Sequence, residues 1–118
     1  MMNILLIGFG GFLGAISRYL LNEMVIKYIP VNFPTGILIV NILGCLFIGL
    51  VLGNSMILKD HVYYFLAVGF LGSFTTMSAF SYQTIELFNT NILIACSYII
   101  LTFILTILAT YIGINFSK

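Results

Sequence analysis

Residues Gly69–Glu86 read GFLGSFTTMSAFSYQTIE. A run of hydroxyls, two glycines and the rings of Phe74 and Phe80 stands inside an apolar segment of membrane length. Ordinary helix-filling residues would suit lipid better. In hydrocarbon every backbone polar group needs a partner, so irregular backbone persists at depth only where protein or an ion-holding cavity surrounds it. The stretch therefore predicts a helix interrupted in mid-membrane, with carbonyls and hydroxyls released to bind an ion. Phe74, Met77 and Phe80 follow one another at intervals of three, near one helical face. Such a stripe alone reads as core packing. Mixed with Ser73, Thr75, Thr76, Ser78 and Ser81, it reads as an ion path, because the positive edge of an aromatic ring can flank an anion that water has left.

The rest of the chain agrees with a membrane setting. Of 118 residues, 62% are hydrophobic and 6% charged, with mean hydropathy +1.22. A crossing needs about 20 apolar residues, and stretches of that length run roughly Ile4–Leu21, Thr35–Leu52, Val62–Leu87 and Ile92–Ile114. The expected fold is all-α: one integral membrane domain over residues 1–118, four transmembrane helices, the third broken. Little is left outside the bilayer to carry chemistry, so an enzyme is not expected. The net charge of +1 says nothing about nucleic acid, but there is no basic patch, and no nucleic-acid partner is expected. Met1-Met2-Asn3 lacks the side-chain cation of a secretory signal, and the first segment is read as a retained span. Cys45 and Cys96 fall inside spans and read as small core residues rather than a disulfide or metal pair.

Lys and Arg beside the spans set orientation, cytoplasmic loops being enriched in them. With an even number of crossings, both termini and the Gly53–His61 loop share one side, carrying Lys59 and Lys118. The opposite side carries Lys27, with Arg18 near it. The tally is balanced, so the chain is expected to insert both ways and pair with an inverted copy; the alternative is a fixed orientation decided by one lysine.

The first span holds Gly10 and Gly14 in a GxxxG pair, and Gly11 with Ala15 one position on; such faces let helix backbones approach closely in lipid. GFGGFLG superficially resembles a dinucleotide-binding loop, but the strand and polar flanks that loop requires are missing. Arg18 closes the span, either as an interfacial anchor or as a cation lining an aqueous vestibule. A short connector, Glu23–Phe33, is expected next, and Pro34 suits the first turn of the second helix. Asn41 lies among Ile, Val and Leu about a third of the way along that helix. A buried amide there either bonds across a helix interface or donates N–H to a passing anion, and Gly44 one turn on would leave space beside it. The fourth span carries Tyr98, Thr102, Thr106 and Thr110 on one slowly drifting face. Bonds to the preceding turn would occupy one or two of these hydroxyls; the stripe as a whole reads as a wet track. Asn115-Phe116-Ser117 matches a glycosylation sequon but lies at the membrane edge.

These segments together resemble the Fluc (CrcB) fluoride channels. GGFLGAISRY at Gly10–Tyr19, PTGILIVNILGCLFIG at Pro34–Gly49 and GFLGSFTTMSAFS at Gly69–Ser81 are similar to that family's first three helices in order; the fourth span agrees in character only. The resemblance implies a passive fluoride-selective channel in the plasma membrane that exports fluoride and limits its toxicity. It further implies an antiparallel, dual-topology dimer with two pores and a central structural sodium ion. Carried over residue by residue, the pore asparagine is Asn41, the second pore phenylalanine Phe80, the adjacent serine Ser78 and the vestibule arginine Arg18. The sodium carbonyls are those of Gly72 and Thr75. Thr102 and Thr106 are the expected fourth-helix contributors.

The chain departs from the family pattern on the presumed path. Met77 replaces the first pore phenylalanine, Ala79 a threonine, Gln83 a glutamate and Ile37 another threonine. A homodimer is expected, with a heterodimer containing a pore-decayed subunit as the alternative. A coupled exporter of the small multidrug type is a further alternative. Such a protein needs an acidic residue in its first helix, where this chain has Arg18 and no acid before Glu23.

Overall fold

The computed structural model describes residues 1–54 and 60–118, so Lys59 lies outside the described residues. The elements are helical: α1 (Met2–Tyr28), α2 (Thr35–Gly53), a wide-wound π-helical segment (Tyr63–Leu71), the single turn α3 (Gly72–Phe74), α4 (Met77–Thr90) and α5 (Ile92–Ser117). Counting Tyr63–Thr90 as one bent span, four helices among the described residues are long and apolar enough to cross a membrane. The longest dimension, 46 Å, matches a bilayer of about 40–45 Å with its headgroups.

Helix α1 runs seven residues past Leu21, to Tyr28, and absorbs half of the expected connector. The connector was expected to begin at Glu23, but nothing between Glu23 and Tyr28 stops a helix. Val25 is buried, and Asn22 packs against the bare backbone of Gly36, which ties the extension to α2. The helix ends just ahead of Pro30. Pro34 stands one residue outside α2, as its N-cap. Asp60 starts the third span by accepting the Val62 and Tyr63 N–H groups at 3.0 and 3.3 Å, and Asn91 starts α5 by accepting from Leu93 and Ile94.

Two close helix contacts organise the spans. Helix α1 lies along the π-helical segment, and α2 along α5. At the first contact, a Cβ on Gly10 would run into the Phe65 carbonyl and one on Gly14 into the Phe70 carbonyl; a Cβ on Gly69 would come within 2.7 Å of the Ile7 carbonyl. The GxxxG pair is thus a docking groove within one chain. At the second contact, Gly49 and Gly113 meet face to face, each leaving no room for a side chain. Lipid gives apolar helices no hydrophobic reason to associate, so close backbone packing of this kind must supply the attraction.

Candidate functional site

The third span breaks at Thr75–Thr76. Its last regular bond closes with Thr75 N–H on the Leu71 carbonyl at 3.2 Å. Both residues are then extended, Thr75 at φ −78°, ψ 153° and Thr76 at φ −147°, ψ 118°. Helix α4 restarts with Thr76 as its N-cap, the Thr76 hydroxyl accepting from Ala79 N–H at 3.2 Å. Hydroxylated, β-branched residues favour such a restart, because their side chains satisfy an orphan N–H that water cannot reach.

Asn41 supplies what the broken backbone loses. Its Oδ1 accepts the Thr76 N–H at 2.8 Å and its Nδ2 donates to the Thr76 carbonyl at 3.2 Å. The amide therefore pairs with Thr76 as a neighbouring strand residue would. The cross-helix bond weighed for Asn41 from the sequence is made, and among the described residues it uses one of the two hydrogens that the amide can donate. The space expected beside Asn41 at Gly44 is filled by the Thr75 methyl group. On the other side of the break, Arg18 Nε donates to the Ser73 carbonyl at 3.2 Å. A cation at a helix C-terminus is favourable to the helix dipole. Arg18 is thus an anchor to protein, and its two Nη groups are left to act on the surroundings. Ser73 itself ties the turn to α1, its hydroxyl donating to the Gly11 carbonyl at 3.0 Å.

Asn41, Thr75 and Thr76 form one wall of a cavity of about 190 Å³. Phe80, Thr102, Thr106, Cys45, Phe103 and the exposed Met77 complete the lining. A water occupies about 30 Å³ of liquid, so an anion fits with part of its hydration shell. Asn41 is 8% exposed and Thr102 7%. Among the described residues, the Thr102 hydroxyl is the one buried side-chain polar atom with no hydrogen-bond partner. Leaving a buried hydroxyl unmade costs about 1–3 kcal/mol, which a ligand in the cavity would recover.

The fourth-span hydroxyls divide. Tyr98, fully buried, donates to Gln83 Oε1 at 3.1 Å. Thr106 and Thr110 bond back to the carbonyls of Thr102 and Thr106, and Thr110 also reaches the Cys45 carbonyl at 3.2 Å. Of these hydroxyls only that of Thr102 has no partner, and it is itself buried beside the cavity, so the uniform wet track expected from spacing is reduced. The aromatic stripe is divided too. The break separates Phe74, stacked on Phe70 at 5.8 Å, from Met77 and Phe80 on α4. Phe80 is buried, its ring 5.1 Å from Tyr98 and 6.0 Å edge-on from Phe103, while Met77 is 67% exposed. Ser78 lies outside the cavity, its hydroxyl 3.2 Å from that of Thr76. Thr76 and Phe103, missed as site residues in the sequence, belong to the lining. Thr76 was legible as part of the hydroxyl run, whereas Phe103 on a lipid-like helix carried no signal.

Gly72 and Thr75, the expected sodium ligands, border a second cleft of about 180 Å³ with Gly44 and Leu71. In an unbroken helix the Thr76 N–H would close on the Gly72 carbonyl; it is given to Asn41 instead. That releases an uncharged, hard oxygen at an exposed position. Such a donor set fits a hard cation.

A family profile described as CrcB-like protein, camphor resistance (CrcB), matches residues 5–114. The chain belongs to the CrcB family. Among curated relatives, a fluoride-specific ion channel FluC of Clostridium novyi is 42% identical over 113 residues, covering 92% of this chain and 88% of the relative. A protein of the same name from Flavobacterium psychrophilum is 39% identical, covering 100% of this chain and 98% of the relative. Fluoride-specific ion channel FluC 1 of Methanosarcina acetivorans is 42% identical, covering 96% and 88%. The fold of this CrcB protein, with four apolar spans and a bent third, makes it a multi-pass membrane protein.

Proposed function

We propose that the protein is a passive, fluoride-selective ion channel of the plasma membrane, which lets fluoride leave the cell. The relatives that match it over nearly its whole length carry that name, and they come from bacteria and archaea. The structural observation that carries the reading is a cavity lined by both Asn41 and Thr102, beside which the Thr102 hydroxyl is buried without a partner. A bare small anion in a low-dielectric medium would cost tens of kcal/mol, so a pore must exchange water for protein donors. Thr102 O–H and the second Asn41 N–H supply two such donors. The edge of the Phe80 ring, held by Tyr98 and Phe103, offers a further weakly positive surface. Cells without their own fluoride exporter should grow in otherwise inhibitory fluoride when they express this chain. Growth no better than with an empty vector would count against the reading.

Thr102→Val keeps the shape and removes the donor. Fluoride flux is expected to fall about threefold or more, while thermal stability stays level or rises, because an unmet buried hydroxyl is gone. Unchanged flux would remove Thr102 from the path. Met77→Phe meets open space, and flux is expected to hold or rise because a ring edge is added. A clear loss would show that the thioether is required.

The dimer belongs to the same proposal. Two copies, inserted in opposite directions and meeting at the breaks, would share a sodium ion on the Gly72 and Thr75 carbonyls. Support comes from the balanced flanking charge and from the released Gly72 carbonyl. Cysteines placed at either terminus should label from both sides of the membrane. Labelling from one side only would remove the dual topology.

A further inference from the structure

One side chain stands between the two ion sites. Asn41 lines the anion cavity, and it also holds the Thr76 N–H at 2.8 Å, the group that would otherwise close on the Gly72 carbonyl. Its Nδ2 holds the Thr76 carbonyl as well, so the extended residue is gripped on both of its backbone polar groups. The remaining support of the break is arranged differently. Arg18 occupies the Ser73 carbonyl, and the Thr75 hydroxyl bonds the Leu71 carbonyl at 3.1 Å. Neither takes the Thr76 N–H. Removing the Asn41 amide therefore leaves that half-buried N–H without its acceptor, and the Gly72 carbonyl one turn back is the natural replacement. The helix would then wind on through Thr75, and an oxygen offered to the interface would be withdrawn into it.

We propose that Asn41 is a positioning residue for the interfacial cation as well as a donor to the anion: its amide splints the break open and so keeps the Gly72 carbonyl available. The proposal rests on the sodium reading above, and it adds a physical coupling between the two sites through a single residue. The two roles use different atoms. Oδ1 serves the cation side through Thr76 N–H, and the second Nδ2 hydrogen serves the anion. Substitutions can separate them. Asn41→Asp keeps an oxygen for Thr76 N–H, the bond that holds the break open, and loses the anion donor and, when ionised, the Nδ2 bond to the Thr76 carbonyl. Asn41→Leu has similar bulk and loses both.

The test is the sodium dependence of dimerisation in detergent, with sodium chloride titrated against N-methylglucamine chloride and the dimer fraction read by cross-linking. The sodium midpoint is expected to rise at least about tenfold for Asn41→Leu and to stay within about threefold of the unmodified chain for Asn41→Asp, although both are expected to be silent for fluoride. A general loosening of packing would depress the dimer fraction at zero and at saturating sodium alike, and would spare no conservative variant. Equal midpoints for Asn41→Leu and the unmodified chain overturn the proposal, as does an Asn41→Asp shift as large as that of Asn41→Leu. Should Asn41→Leu not fold, Asn41→Ala is held to the same criterion. Indifference of the unmodified chain to sodium overturns the cation reading itself and the splint with it, a result distinct from the other two.

Discussion

Asn41→Asp is expected to abolish fluoride efflux while the protein still folds. The substitution is isosteric, and a carboxyl oxygen can accept the Thr76 N–H now held at 2.8 Å. The anion fares badly in either protonation state. An ionised carboxylate about 4 Å from an anion, at an effective dielectric of about 20, repels it by about 4 kcal/mol; in a barrier that is close to a thousandfold in rate. A protonated carboxyl gives its one hydrogen to the Thr76 carbonyl and keeps none for the cavity. The measurements are initial efflux from loaded liposomes and thermal unfolding of the same preparation. A folded variant retaining more than about a tenth of the flux would show that the barrier rises by less than about 1.4 kcal/mol, too little for a cavity donor.

Gly14→Val is expected to disrupt the chain itself. A Cβ there would meet the Phe70 carbonyl and the Ser73 hydroxyl, and neither can retreat, because Ser73 is bonded to Gly11 and to its own preceding turn. Overpacking commonly costs about 1–3 kcal/mol. Here it would also pull Ser73 away from Arg18, so a loss at the upper end or beyond is expected. Gly8→Val is the matched control on the same helix, since nothing lies within 4 Å of a Cβ at Gly8. Thermal stability should drop sharply for the first and little for the second. Equal stability of the two would contradict the packing of α1 on the π-helical segment.

The break was legible in the sequence because hydroxylated residues in an oily span are chemically out of place. Its position was less so. The stretch Gly69–Glu86 did not say which residues leave the helix; Gly72 is still helical, and the extended residues are Thr75 and Thr76. Asn41, 35 residues away, fixes them there, and a partner so distant leaves no local mark. The π-helical winding of Tyr63–Leu71 likewise has no signature in YYFLAVGFL; it sits against the glycine face of α1. Asn41 and Phe80, singled out by residue type, and Thr102, by spacing, line one cavity. Spacing placed Thr106 and Thr110 with Thr102 but could not show that their hydroxyls are spent on backbone carbonyls. The end of α1 was misread for a related reason: the helix carries on through Glu23–Tyr28 beside a contact between Asn22 and Gly36 that exists only in the folded chain.

The central claim, that the cavity between Asn41 and Thr102 conducts fluoride, is tested most directly with the purified chain alone in sodium-containing liposomes. Fluoride and chloride release are followed with ion-selective electrodes after the membrane potential is collapsed. Fluoride is expected to escape through the protein while chloride is retained, and Thr102→Val is expected to slow the escape. Release of both ions alike, or no release from a folded dimer, would contradict the claim.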